Sequence, residues 1–481
     1  MKHILKTFLV IIAVMLLQSN VHSQNCSTMN IQFQADIAST CNAITITMRQ
    51  DIGGKPYLYV ANTGAGLTIY DISTLTAPVL VKTISSSSFN SLDVINISQD
   101  GDYIYLALGN SFGTNVQSSG MAIVDVSNPV SAFVTDVWVF SGPISGAGIV
   151  KTECNYAYLG AMGNGLIILD ITDKNNISFV SQFRPDMNYP TANPDTLKYN
   201  ARGMQVKNDI VYLCFDAGGF RIINTTNKQN PVETGRYSNP ALNGKPRAYN
   251  NIILDDTLVY IAVDFCGLEV LNIADTSNVT LASWWNPWDC TGNPFNWFSS
   301  SGHANEIEYN KNCKQLFIST GKSDMYVVDI SNPSQPDSCN YYGGISNGIG
   351  TWGIGSYQDR IYLSYICTFG IPFASNWTGV KILTYIPCTT GISEQENTDA
   401  INIFPIPSNE QITIETKNKF SDLKKLNVSV TNTLGQTIAA QYKTSSNQIT
   451  LDISNLSNGI YFVRLSNNDK ILNRKFIKSE F

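Results

Sequence analysis

The stretch that decides the fold runs from Tyr57 to Ser73, YLYVANTGAGLTIYDIS. An aromatic-centred strand is followed by a glycine turn and then by an aliphatic strand ending in Asp. β-Branched and aromatic residues suit a pleated, half-buried strand, and Asn and Gly supply the backbone freedom of the turn. The same two-part phrase returns as YIYLALG with MAIVDVS from Tyr103, YAYLGAMGNGLIILDIT from Tyr156 and IVYLCFDAGGFRIINTT from Ile210. It continues as LVYIAVDFCGLEVLNIA from Leu258, QLFISTGKSDMYVVDIS from Gln315, and RIYLSYI with GVKILTY from Arg360, which makes seven copies. Their second aromatics, Tyr59, Tyr105, Tyr158, Tyr212, Tyr260, Phe317 and Tyr362, lie 46, 53, 54, 48, 57 and 45 residues apart. Each interval holds about four short strands and no helical periodicity, the sequence signature of a β-propeller, here with one blade per copy.

Four of these phrases, GLTIYDIS, MAIVDVSNP, GLIILDIT and MYVVDISNP, resemble the LVIVD repeat, named for its aliphatic run ending in Asp. The resemblance spans roughly residues 50 to 386 and implies a propeller without implying one activity. It thins where Asn224 and Asn272 replace the Asp, and in Lys381 to Tyr385, which carries no acid. An Asx side chain capping the turn before Ser-Asn-Pro explains the repeated acid without a metal, so neither a metal site nor a cofactor is expected.

Strand order tests whether the ring closes. The seventh copy stops at Ile386-Pro387, one outer strand short, while MNIQFQA (Met29 to Ala35) is a spare strand upstream of the first copy. AITITMR (Ala43 to Arg49) serves as the first inner strand, and the spare strand then completes the last blade. All ten cysteines fall in the exported part of the chain, and no CxxC pair of zinc-site spacing occurs. The closure geometry pairs Cys26 with Cys388, and by the same reasoning Cys41 with Cys367, Cys266 with Cys290 and Cys313 with Cys339. Cys154 and Cys214 fall on different blades and are expected to be free thiols.

The two ends read as addresses. Residues 1–23 have a basic start (Lys2, Lys6) and an apolar run from Phe8 to Leu17, too short for the roughly 20 residues that span a bilayer, and so read as a signal peptide. No other segment approaches transmembrane length. A polar linker, residues 389–400, leads to residues 401–481, which resemble the type A sorting domain recognised by the type IX secretion system of Bacteroidetes. The matching elements are Phe404-Pro405 with Pro407 and Asn409, the Asn432 to Gln436 turn, the Leu456 to Tyr461 phrase with Asn458-Gly459, and the closing Lys475-Phe476-Ile477-Lys478. Ile406 departs from the family, which usually has Asn there. The resemblance implies an immunoglobulin-like β-sandwich and an encounter with the type IX machinery. The expected whole is all-β: a seven-bladed propeller over residues 24–388 and a small β-sandwich tail, secreted or held at the outer cell surface.

Charge sharpens what the propeller meets. The chain carries 31 basic and 37 acidic residues, yet Glu394 to Phe481 is net +1, which leaves 19 basic and 28 acidic residues, net −9, between the signal and the tail. An acidic ring repels phosphate backbones, so nucleic acid is excluded as a partner.

Loop lengths point to one face. The long insertions, Gly109 to Gly120, Arg184 to Tyr199, Trp284 to Gly302 and Thr368 to Gly379, all emerge on the face opposite the short turns between inner and second strands. Binding residues concentrate on such loops over a rigid scaffold. The richest holds Trp284, Trp285, Trp288 and Trp297, which either stack on a flat ligand such as a sugar ring or pack over the end of the propeller. At the starts of the inner strands stand Asp93, Arg202, Arg247, His303 and Trp352 around the expected channel. Two arginines there can clamp an anion, or can bridge neighbouring blades. No GxSxG, HExxH, P-loop or dinucleotide fingerprint is present, so no catalytic residue is assigned. A binding protein for a glycan or surface protein is the first expectation; a polysaccharide hydrolase or lyase using Arg202, Arg247 and His303, and a structural adhesion module, are the alternatives.

Overall fold

A computed structural model describes residues 29–40, 43–51, 53–111, 115–264, 266–292, 303–320, 324–343, 349–367, 376–386, 402–415, 426–433, 436–445, 448–466 and 471–479. The chain divides into two compact units, Met1–Thr389 and Thr390–Phe481. Every sheet has four strands, seven in the first unit and two in the second.

In six blades the four strands follow chain order from the inside outwards; the first runs Thr47–Gln50, Tyr57–Ala61, Leu67–Asp71, Val79–Ile84. The inner strands of the others are Val94–Asp100, Ile149–Glu153, Gly203–Lys207, Tyr249–Asp255, Ala304–Asn310 and Gly350–Tyr357. The seventh blade takes its outer strand from the other end of the propeller: Ile31–Ser39 pairs antiparallel with Thr378–Tyr385. This exchange closes the ring and leaves no blade with an unfilled edge.

The aromatic markers sit between blades. Tyr59, Tyr158 and Phe317 are fully buried, and Tyr105, Tyr260 and Tyr362 nearly so, each within a cluster that draws on two adjacent blades. Because neighbouring blades cover both faces of each sheet, few positions demand charge, which accounts for a charged fraction of only 14%. The acid of the repeat caps a turn: Asp71, Asp125, Asp170 and Asp329 each accept the backbone N–H two residues on, at 2.8–2.9 Å, and Asn224 and Asn272 do the same. The hydrogen bonds from Ser73 hold the Asp71 carboxyl below its ordinary range.

Between third and outer strands every one of the first six blades carries a bulge at one place, in the aliphatic run just before the capping Asx. The extra residue of the outer strand is Val81, Thr135, Val180, Thr234, Ala282 or Cys339. Where it is a threonine, its hydroxyl lies beside the third strand, Thr135 Oγ1 3.2 Å from Ile123 O and Thr234 Oγ1 3.4 Å from Ile222 O, while Thr135 donates at the shorter distance of 2.6 Å to Lys174 O. Such bulges increase the local twist that a blade needs.

Cys266 and Cys290 form a disulfide, and Cys154 and Cys214 are free, the second buried. Cys313, Cys339 and Cys367 are also disulfide-bonded. Cys26, Cys41 and Cys388 lie outside the described residues, as do residues 1–23, expected to be a signal peptide.

The second unit places Asn402–Phe404, Gln411–Glu415, Gln448–Asp452 and Tyr442–Thr444 in one sheet, and Thr437–Ile438, Asn427–Asn432, Gly459–Ser466 and Ile471–Lys478 in the other. Ile412, Ile449, Leu451, Val463 and Phe476 pack between them as one core. Lys478, almost fully buried, donates to the side-chain oxygen of Asn409 at 2.6 Å and so ties the last strand to the Asn409 turn.

Candidate functional site

Antiparallel pairing in each blade sets one inner-strand residue directly opposite the marker aromatic. The pairs are Arg49 with Tyr59, Ser98 with Tyr105, Lys151 with Tyr158 and Gln205 with Tyr212, then Ile253 with Tyr260, Glu308 with Phe317 and Gly355 with Tyr362. All seven line one cavity of about 310 Å³ on the axis of the ring. They come from the middle or second half of their strands, so the cavity lies towards the face of short turns. Asn96, Asn251 and Glu306 contribute to its wall further in, and Glu306 also borders a much smaller space, of about 40 Å³, beside Arg202, Asn305 and Trp352. The channel therefore has a wide half and a narrow half.

The wide half is polar and holds four ionisable groups. Arg49 Nη1 reaches Glu308 Oε1 at 3.1 Å and touches the carbonyls of Met48 and Ile354 at 3.4 Å. This pair joins blades 1 and 6 across blade 7, where Gly355 lies beside it: a Cβ there would stand 3.7 Å from Arg49 Nη1, in ordinary contact. Glu306 Oε2 accepts the Ile354 N–H at 3.2 Å, and burial pushes its carboxyl up to about 7. Burial also raises Glu308. Lys151 is partly accessible yet surrounded by protein, because what it faces is the cavity; desolvation, with Arg49 nearby, brings its ammonium down to about 8. Among the described residues no group hydrogen-bonds or ion-pairs with Lys151 Nζ. Gln99 Oε1 is likewise buried without a partner.

The residues picked from the sequence lie elsewhere. Asp93 is held in its own blade by Asn110 Nδ2 at 3.2 Å and Gln117 Nε2 at 3.1 Å. Arg202 Nε donates to Asp216 at 3.0 Å, and Arg247 donates to the carbonyls of Ala217 at 3.0 Å and Leu242 at 2.8 Å, so both arginines are engaged in joining segments of the chain. His303 is fully buried, with Nδ1 2.7 Å from Asp264 Oδ1. Of the five, only Arg202 and Trp352 line the channel, at its narrow half. The three described tryptophans of the long insertion pack: Trp284 Nε1 donates to Cys266 O at 2.7 Å, and Trp285 meets Trp288 edge-on at 5.2 Å beside Tyr326. Trp297 lies outside the described residues.

Sequence reasoning passed over Arg49, Lys151, Glu306 and Glu308. The usable signal was the register partner of each marker aromatic, a position that holds seven different residue types and so shows no repeat.

Comparison with known families supplies what the site alone does not. The LVIVD repeat matches at residues 53–85, 91–134, 147–184 and 314–342, and the secretion system C-terminal sorting domain matches at residues 402–479. The chain carries LVIVD repeats and a type IX sorting domain. The sorting domain directs export to the cell surface or the medium and implies interaction with the type IX machinery. Among solved structures, the RRP9 WD40 repeats superpose on 74% of this chain and 100% of their own with a TM-score of 0.51 at 10% identity, which shows the fold alone. The Cps50 (Swd1) β-propeller domain of Myceliophteria thermophila covers 74% of this chain and 99% of its own, at 10% identity and a TM-score of 0.49. No curated protein matches the chain. Among the described residues no helix is long and apolar enough to cross a membrane.

Proposed function

We propose that this exported LVIVD propeller is a binding protein that takes a small polar ligand into the wide half of its central channel. The observation that carries the reading is the ring of seven register partners around one polar cavity, with a lysine that has no hydrogen-bond or ion-pair partner among the described residues. Polar groups that protein leaves unpaired inside a cavity are the usual recognition elements of small-molecule sites, and about 310 Å³ stands at the lower end of such sites. The hydrolase or lyase reading loses its acid–base residue, because a fully buried His303 bound to Asp264 does not meet a polymer in the channel. The glycan-stacking reading of the tryptophan loop loses Trp284, Trp285 and Trp288 to packing.

Equilibrium dialysis of the mature full chain against a mixture of small polar metabolites, read by mass spectrometry, tests the proposal. Gly355→Leu serves as the blocked form, since its Cβ meets Met48 Sδ at 3.6 Å and Arg49 Nη1 at 3.7 Å, ordinary contacts that leave the backbone in place. A ligand retained by the wild type and lost from Gly355→Leu is expected; equal retention by both removes the channel from the reading.

A further inference from the structure

We propose that the ligand group received in the wide half is a small oxyanion, a carboxylate or phosphate, held by Lys151 Nζ. This rests on the channel-binding reading above and narrows it to one chemistry.

The geometry separates the four charged groups. Glu308 is already neutralised by Arg49 at 3.1 Å, and Glu306 is held by the Ile354 N–H at 3.2 Å. Lys151, on blade 3, has all three ammonium hydrogens unused among the described residues, in a cavity that water or a solute must fill. The remaining blades bring Ser98, Gln205, Ile253 and Gly355 to this layer, none of which titrates. The layer therefore holds two cations and one anion, with Glu306 further in, a local excess of positive charge within a propeller that is net −9 as a whole. Charge-assisted hydrogen bonds from an ammonium to an oxyanion are the strong members of their class, more so away from bulk water.

Glu306 makes the site respond to pH. Its carboxyl, raised by burial to about 7, is largely neutral below that pH and adds a negative charge above it. Lys151, lowered by desolvation to about 8, loses its positive charge on further rise. Both changes weaken an oxyanion as pH increases, so binding is tightest in mildly acidic solution.

Calorimetric titration of the mature full chain with inorganic phosphate, and separately with acetate, decides the matter. At pH 6 at least one should bind, with affinity falling ten-fold or more by pH 9; phosphate alone or acetate alone names the source of the anion. Lys151→Gln should lose binding at least ten-fold, and Lys151→Arg should keep it at high pH, which a merely structural lysine would not do. Glu306→Gln should bind several-fold more tightly than wild type at pH 8. No binding of either anion at pH 6, or binding unchanged in Lys151→Gln, overturns the proposal. If neither anion binds but dialysis yields a neutral or cationic ligand lost from Gly355→Leu, the channel reading stands and the oxyanion inference alone fails.

Discussion

At the starts of the inner strands Arg202 bonds Asp216, Arg247 binds two backbone carbonyls, and His303 sits against Asp264. In the wide half of the channel Lys151 has no hydrogen-bond or ion-pair partner among the described residues, and Glu306 holds a single backbone N–H. Both regions collect charged residues, yet the first commits them within a blade, as Arg202, or between neighbouring blades, as Arg247 and His303, and the second leaves part of their capacity unmet. A buried polar group without a partner costs stability, so a fold that keeps one invites a reason outside stability. Proximity of charge to the axis is therefore a poor guide to function, and unmet hydrogen-bonding capacity is a better one.

The contrast breaks most visibly if the paired region at the inner-strand starts is opened. His303→Ala removes a fully buried ring and leaves Asp264 without its partner, so the unfolding free energy should fall by about 2–4 kcal/mol in urea titration, with phosphate binding unchanged. A large loss of binding at unchanged stability would reverse the two assignments.

The next effect lies in pH. The folded Glu306 carboxyl titrates near 7 against 4.5 when exposed, so between those values the folded chain holds more protons and stability falls as pH rises, by up to about 3 kcal/mol from this group. Glu269, also buried and raised to about 7, acts in the same direction, and the difference between wild type and Glu306→Gln isolates the channel residue. Thermal midpoints from pH 5 to pH 8 should decline less steeply in Glu306→Gln; parallel declines would place Glu306 in ordinary solvent.

Lys151→Met should stabilise the protein by roughly 1–2 kcal/mol at pH 7, because a desolvated ammonium that hydrogen-bonds to no group among the described residues is removed. The Lys151 ammonium is depressed when folded, so its cost is present below about 8 and relieved as pH climbs towards 10.5, where the advantage of the variant should vanish. Destabilisation at pH 7 would mean that Lys151 is a structural bridge like Arg202.

Smallest of all, Arg202→Ala should cost roughly 1 kcal/mol, since its buried partner Asp216 loses one charged donor but keeps the hydrogen bond from Asn200 Nδ2 at 3.0 Å, and phosphate affinity should not move.

Much of the fold was open to reading because propeller physics repeats. The aromatic that packs between blades recurs at Tyr59, Tyr105 and Tyr158, and the turn-capping acid recurs at Asp71, Asp125 and Asp170, so each copy vouches for the others. The missing strand after Tyr385 and the spare one near Ile31 are likewise visible in the order of elements, and the structure pairs those two residues directly. The channel was not legible for two reasons. Its seven positions hold Arg, Ser, Lys, Gln, Ile, Glu and Gly, with nothing shared but register. In addition the inner strands of blades 2, 5, 6 and 7 carry irregularities near their starts, at Val94/Asn96, Tyr249/Asn251, Ala304/Ile307 and Thr351/Ile354. Each breaks the two-residue alternation, so counting from the strand start assigns the wrong face. His303 and Glu306 illustrate this: a bulge intervenes, and they part because one meets Asp264 while the other meets the channel.

The two regions are told apart most directly by soaking crystals of the protein in selenate at pH 6 and locating the anomalous scatterer. A selenate oxygen within about 3 Å of Lys151 Nζ, inside the ring of seven, is the predicted result. A peak at Arg202 or Arg247 with the wide half free of selenate would contradict it.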